Sequence, residues 1–264
     1  MLKKFSLSWL KDPVPAALDI NSPVATVCRR QTIQRKPFLK CFYEDCYQFI
    51  CGKIPKSGDG VVLEIGSGAG FFKDLYPGLI TSEILSLSTV DVILDAQALP
   101  LKRNCLCSIV MVDVFHHLPD VKRFFKEALI CVRPGGTIVM VEPWITRWSH
   151  FIYRFFHHEP LDMKTADWSF PANGPLTGAN SALPWMVFQR DRQKFESEFP
   201  GWEVEEIKLD YPFAYLVSGG LSYRSLLPGN MFGIFRRLEN AFQPVMATIA
   251  MFAKITLRRR RTIN

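Results

Sequence analysis

The stretch Val61-Val62-Leu63-Glu64-Ile65-Gly66-Ser67-Gly68-Ala69-Gly70 runs from β-branched apolar residues through an acid into three alternating glycines. A short apolar run bounded by glycine predicts a buried strand entering a tight turn. Glycines there let backbone amides approach a ligand that a Cβ would exclude. Phe71 to Leu75 predicts the first turns of a helix, with its free N–H groups facing the same ligand. Strand, glycine loop and helix together form the opening unit of a nucleotide-binding α/β fold.

The spacing narrows the ligand. G-x-G-x-G with an acid two residues earlier is not the dinucleotide pattern G-x-G-x-x-G. No Lys-Ser/Thr follows, as a phosphate-cradling P-loop requires. Three further segments follow in order: Asp95-Ala96-Gln97-Ala98-Leu99-Pro100, then Ser108-Ile109-Val110-Met111-Val112-Asp113-Val114-Phe115-His116-His117-Leu118, then Val132-Arg133-Pro134-Gly135-Gly136-Thr137-Ile138-Val139-Met140-Val141-Glu142. With the glycine loop, these resemble four motifs of the class I S-adenosylmethionine-dependent methyltransferases, in the type-11 branch. The resemblance covers Val61 to Glu142. It implies a Rossmann-like, doubly wound, mostly parallel seven-stranded sheet, and S-adenosylmethionine as the cofactor.

Each part of that cofactor needs its own partner. The resemblance puts Gly66, Ser67, Gly68 and Gly70 against the methionyl and ribose parts, with Glu64 on the ammonium, against the less favoured reading that Glu64 only braces the loop. Glu83, at the end of the second strand, would accept both ribose hydroxyls. Asp95 would accept from the adenine amino group, with the Ala96 amide reaching a ring nitrogen. Asp113 and Val114 end the fourth strand beside the methionyl end. His117 is the candidate general base, against the reading that it only packs or orients its loop; His116 carries less weight. A sulfonium is intrinsically a good methyl donor, so placement of the acceptor matters more than any one catalytic group.

The 264 residues allow one sizeable core. Three regions are expected: an arm over 1–36, a methyltransferase domain over 37–218 and a basic, amphipathic helical extension over 219–264. Within the domain, Pro37 to Cys51 predicts a helix, stopped by Gly52. The second and third strands are expected at Leu79 to Leu85 and Val90 to Leu94, too close for a normal crossover helix. Asp120 to Cys131 predicts a helix, Thr137 to Glu142 the fifth strand, Trp202 to Lys208 the sixth and Phe213 to Val217 the seventh.

The insert over 143–199 is dense in aromatics and is expected to supply a lid and substrate pocket. It also offers His157, His158, Glu159 and Asp162 as lesser candidates. The seven cysteines lack metal-ligand spacing and read as reduced, mostly buried thiols, so no metal is expected.

Met1 to Leu10 is cut short as a secretory signal by Lys11-Asp12-Pro13, and no window holds the run of about 18 apolar residues that a membrane span needs. A cytoplasmic location is expected. From Leu221 onward the chain holds eight Lys/Arg and one acid, so the entire net charge of +7 lies there. Met231 to Phe242, amphipathic at helical spacing, and Val245 to Leu257, apolar nearly all round and followed by Arg258 to Arg261, suggest a pair of interfacial helices on an anionic membrane surface, or a core helix with a solvated tip, or an oligomer interface. No nucleic-acid partner is expected. The acceptor is expected to be a small or lipid-linked molecule with an O, N or C nucleophile. The rival readings are a non-catalytic cofactor-binding or membrane scaffold and, less favoured by the glycine spacing, a nicotinamide oxidoreductase.

Overall fold

The computed structural model describes residues 11–12, 19, 21–56, 60–157, 159–171, 174 and 178–261. Two helices come first, α1 (Pro23–Arg35) and α2 (Pro37–Lys53). The seven strands are β1 (Val61–Ile65), β2 (Leu79–Glu83), β3 (Val92–Ile93), β4 (Leu106–Val112), β5 (Val132–Pro143), β6 (Trp202–Asp210) and β7 (Phe252–Arg259). They form one sheet in the order β3-β2-β1-β4-β5-β7-β6. β1 to β5 are parallel, and β7 pairs antiparallel with both β5 and β6. A mostly parallel sheet is stable only with both faces covered; accordingly six of the seven positions of β4 are buried.

Local chemistry sets the elements that shape the site. α2 turns Phe38, Phe42, Cys46 and Ile50 inward, a stripe at i, i+4 spacing. It runs through Gly52, where the sequence predicted its stop. The four-residue α3 (Phe72–Leu75) follows the glycine loop. α4 (Val121–Cys131) starts where the Asp120 carboxylate accepts from the Lys122 and Arg123 amides, a cap worth about 1 kcal/mol. No helix crosses from β2 to β3; residues 84–91 turn directly, and Ser82 and Glu83 pair with Val92 and Ile93.

The structure corrects three expectations. Of the arm expected over 1–36, residues 1–10, 13–18 and 20 lie outside the described residues. Its second half is the helix α1, capped by the Ser22 side chain with Pro23 in the first turn. The insert holds α5 (Arg147–Phe156), α6 (Leu183–Trp185), a π-helical turn at Met186–Arg190 and α7 (Arg192–Glu198). Many of its rings extend the core instead of lining a pocket. Phe195 and Phe199 lie 5.0 and 5.2 Å from Phe125 of α4, and Phe188 lies 5.5 Å from Phe115.

The third correction concerns the C-terminal region. Phe213 to Val217 is not the seventh strand. Tyr211 takes a φ of 53°, which ends β6, and the Glu239 carboxylate accepts from the Phe213 and Ala214 amides to start α8 (Ala214–Val217). α9 (Phe232–Asn240) and α10 (Met246–Ile249) follow. The chain then returns as β7 between β5 and β6. The expected 219–264 helical extension therefore contains a strand of the sheet, and the domain does not close at 218. A run apolar on every side is compatible with either a buried helix or a buried strand. β-branched Ile255 and Thr256 and two waiting strand edges favour the strand.

Asp210 holds this return in place. Its two carboxylate oxygens lie 2.8 Å from Arg236 Nη2 and 2.8 Å from Lys254 Nζ. The ion pairs hold Asp210 below the usual carboxylate range in spite of its burial.

Candidate active site

The carboxyl ends of β1, β2, β4 and β5 open on one side of the sheet, where ligands of open α/β folds bind. Gly66 has a φ of +70°, and a Cβ there would stand 2.5 Å from Val114 Cγ2. The loop is folded onto β2. The Ser67 amide donates to the Ser82 carbonyl at 2.9 Å, the Gly68 amide to Glu83 Oε2 at 3.2 Å, and the Gly70 amide to the Ser67 carbonyl at 2.7 Å. The Phe71 amide donates to Tyr47 Oη at 3.3 Å. These donors therefore serve the protein, and α3 is too short to add a dipole of any size; the expected crown of free helix amides is not formed.

Glu64 is 4% exposed, and its Oε2 has no hydrogen-bond partner among the described residues. Burial pushes its carboxyl up to about 7, with the Glu83 charge adding to the shift. Glu83 is likewise raised by burial, opposed by its backbone donors. An unpartnered buried carboxylate beside a glycine loop fits the ammonium of the methionyl end, and Glu83 beside Gly68 fits a diol. At the next loop Asp95 Oδ1 accepts from the Gln97 amide at 2.8 Å, with Ala96 buried beneath it.

Beyond the cofactor side lies a dense polar cluster. Asp113 follows β4 with a φ of 61°. Glu142 is fully buried, and its Oε1 accepts from both the Val114 and Phe115 amides at 2.8 Å. Its Oε2 lies 2.8 Å from His116 Nδ1. His117 Nδ1 lies 3.0 Å from the Gly178 carbonyl, and its Nε2 faces Glu159 Oε1 at 3.6 Å.

The charges of this cluster pull in opposite directions. Burial works against a charged His116, but Glu142 and Glu159 outweigh it and raise that group well above the usual histidine range. Burial and the His116 charge push His117 down to about 4. Burial pushes Asp113 up to about 7.

Of the sequence-derived candidates, Glu64, Gly66, Ser67, Gly68, Gly70 and Glu83 form one constellation. Val114 joins it through Gly66. Asp113 and His117 belong to the polar cluster, as do Glu159 and His157, whose Nδ1 is 3.8 Å from Glu159 Oε2. Asp162 instead caps a turn through the Lys164 amide and is exposed. His158 lies outside the described residues.

Sequence reasoning passed over Glu142, which reads there only as a strand end. It also passed over α1. Arg30 donates to the Gly70 carbonyl, Arg29 stands where Glu83 and Glu159 act on its charge, and Thr26 would meet a Cβ on Gly68 at 2.9 Å. A helix start at Ser22-Pro23 was the available signal.

The sheet order and its flanking helices define a Rossmann-like α/β fold. Residues 63–140 match the family model described as a methyltransferase domain. No curated protein sequence matches. Two solved structures share the fold. One is a chain of the Haloferax volcanii complex between the Trm112 methyltransferase activator and a methyltransferase; it has 12% identity and a TM-score of 0.52, with 91% of this chain and 96% of that one covered. The other is geranyl diphosphate C-methyltransferase from Streptomyces coelicolor A3(2), with 12% identity, a TM-score of 0.50, and 95% and 91% covered. Over residues 63–140 the chain is similar to the type-11 branch of the S-adenosylmethionine-dependent methyltransferases, and the two structures extend the likeness of fold to the rest of the sheet.

Proposed function

We propose that the enzyme transfers the methyl group of S-adenosylmethionine directly to a hydroxyl or amine of a small polar acceptor. The observation that carries this reading is the makeup of the wall beyond Gly66. Asp113, His116, His117 and Glu159 gather there, with Asp113 Oδ1 3.9 Å from His116 Nδ1 and Glu159 Oε1 3.6 Å from His117 Nε2. Such a wall suits an acceptor that forms hydrogen bonds.

On the cofactor side, Glu64 takes the ammonium, the backbone of Gly66, Ser67, Gly68 and Gly70 lines the methionyl and ribose parts, and Glu83 accepts from the ribose diol. Asp95 and the Ala96 amide meet the adenine, and Asp113 and Val114 border the methionyl end. Arg29 or Arg30 supplies the positive charge that the methionyl carboxylate needs. His117, the candidate base, is held down to about 4 and is a weak proton acceptor, so placement of the acceptor beside the methyl group carries the rate.

The test is calorimetric binding of S-adenosylmethionine to wild type, Glu83→Ala and Asp95→Ala, followed by methyl transfer from labelled cofactor to a panel of small polyols, phenols and amines. Micromolar binding lost in both variants, and label in a polar acceptor, supports the reading. Label only in apolar acceptors would sink it.

A lipid-linked acceptor is a second reading, favoured by one surface. Met231, Ile234, Leu238, Phe242 and Val245 recur at helical spacing along α9 and its flanks, and all are exposed. Arg258 and Arg259 are less available to a membrane than expected. Arg258 pairs with Glu205 at 2.8 Å, and Arg259 donates to Asn104 Oδ1 at 2.5 Å and to the Val132 carbonyl. Among the described residues no helix is long and apolar enough to cross a membrane. Liposome flotation of wild type against Ile234→Asp/Leu238→Asp tests this surface; equal flotation removes the second reading.

A further inference from the structure

His116 and His117 are each anchored through Nδ1, the first on the Glu142 carboxylate and the second on the Gly178 carbonyl. Both Nε2 atoms then face one carboxylate from the insert. His116 Nε2 is 3.3 Å from Glu159 Oε2, and His117 Nε2 is 3.6 Å from Glu159 Oε1. His116 has no solvent exposure, and its Nε2 makes no geometrically sound hydrogen bond among the described residues, with Glu159 at ion-pair distance as its neighbour. A buried polar atom left in this way costs about 1–3 kcal/mol, so a site that keeps one calls for a reason.

We propose that His116 Nε2, His117 Nε2 and the Glu159 carboxylate bind one divalent transition-metal ion of the zinc class. Three arguments converge. The first is anchoring: a histidine that ligates a metal donates its other N–H to a carboxylate or a backbone carbonyl, which fixes the ring and directs the lone pair. Glu142 and Gly178 do this here, one partner of each kind. The second is spacing: donors at about 2.0–2.1 Å from a tetrahedral zinc stand about 3.3 Å apart. One donor atom from each of the three residues lies within 4.8 Å of the others, and each Nε2 has a Glu159 oxygen close to that separation, Oε2 at 3.3 Å and Oε1 at 3.6 Å.

The third argument is charge. Asp113, Glu142 and Glu159 crowd around two imidazoles, and Asp113 Oδ1 is 3.9 Å from His116 Nδ1. A dication offsets that concentration of carboxylates better than a single imidazolium. Two imidazoles and one carboxylate suit zinc or a neighbouring first-row ion, and not magnesium, which prefers an all-oxygen shell. Three protein donors leave a fourth position for an oxygen ligand.

The binding claim stands apart from the methyl-transfer reading, since its readout needs neither cofactor nor acceptor. Full-length protein is stripped with a chelator, checked for its far-ultraviolet circular dichroism, and titrated with zinc chloride in a calorimeter, with magnesium chloride as the contrast. The expected result is one zinc per chain with micromolar affinity or better, a rise in Tm with zinc, and no magnesium binding. Glu159→Gln and His117→Gln each lower zinc affinity at least about 100-fold, and Glu142→Gln lowers it about 10- to 100-fold. Cys105→Ser/Cys107→Ser leaves it unchanged.

Glu159 and His117 are both partly exposed, so their conservative variants keep the fold even where a His116 variant does not. Absence of stoichiometric zinc overturns the proposal. So does zinc held equally by wild type, Glu159→Gln and His117→Gln, because the thiols would then be the ligands.

Discussion

Gly68 and Glu83 close on each other: the Gly68 amide donates to Glu83 Oε2 at 3.2 Å, and a Cβ on Gly68 would stand 2.7 Å from that same oxygen. Thr26 of α1 blocks the other side at 2.9 Å. Gly68→Ala must therefore displace either the carboxylate or α1. With Glu83 on the ribose, cofactor affinity falls at least about tenfold, or 1.4 kcal/mol, while the far-ultraviolet spectrum is unchanged. Calorimetry on wild type and Gly68→Ala measures it; equal affinities would show that the loop can rearrange freely.

Glu64 imposes a pH dependence opposite to that of a salt-bridged acid. Its folded pKa, at about 7, lies above that of an unfolded glutamate, so the folded state holds the extra proton between the two values. Stability is fully present below about 4.5 and is lost as pH rises toward 7, by about 3 kcal/mol. In urea unfolding, wild type should lose roughly that much relative to Glu64→Gln between pH 5 and pH 8. Cofactor binding runs the other way: an ammonium favours the carboxylate, so binding strengthens over the same interval and releases a proton. Calorimetry in buffers of different ionisation enthalpy reads that proton directly.

Asp210 is 1% exposed and faces the half-buried Arg236 and the buried Lys254. Asp210→Ala leaves Arg236 and Lys254 short of their main counter-charge, at a cost of about 3–5 kcal/mol. Denaturant unfolding should show it as a lower midpoint with an unchanged slope. A shift below 1 kcal/mol would mean that Asp45, which also reaches both cations, carries the cluster.

Phe125 ties the insert to the sheet through Phe115, Phe188, Phe195 and Phe199. Phe125→Ala removes a fully buried ring at the centre of that group and should cost about 3–5 kcal/mol. The same substitution at exposed Phe151 should cost under 1 kcal/mol. The pair, compared by thermal unfolding, separates insert rings that serve the core from those that do not.

The first half of the chain was legible because its signals are local. A glycine at positive φ, an acid at a strand end and Asp120 capping a helix each declare themselves within a few residues. The polar cluster was legible only in part. His117 and Glu159 were visible as residue types, but their meeting depends on Glu159 and Gly178 of the insert returning to the loop after β4, which no spacing encodes. Glu142 was hidden because a carboxylate ending a strand is usually solvated, whereas this one is buried under the loop it holds.

The last strand was misread for a different reason. Phe252-Ala253-Lys254-Ile255-Thr256-Leu257 is buried at every position, so it carries no alternation to betray a strand. Its single lysine reads as a break in an apolar helix until Asp210 is found opposite it. Arg258 and Arg259 likewise read as a surface signal when they in fact pair with Glu205, Asn104 and a backbone carbonyl.

The placement of β7 has a consequence for how the molecule assembles. Among the described residues β6 has no other partner in the sheet, and β5 has none on that side. Until Phe252–Arg259 threads between them, two strands present bare edges whose N–H and C=O groups invite pairing with a second molecule. The Asp210, Arg236 and Lys254 contact forms only when this threading is complete, so it works as a latch on the finished register. A chain caught before that step is the form most prone to aggregate, and slow refolding at low protein concentration is the condition that should recover the most active enzyme.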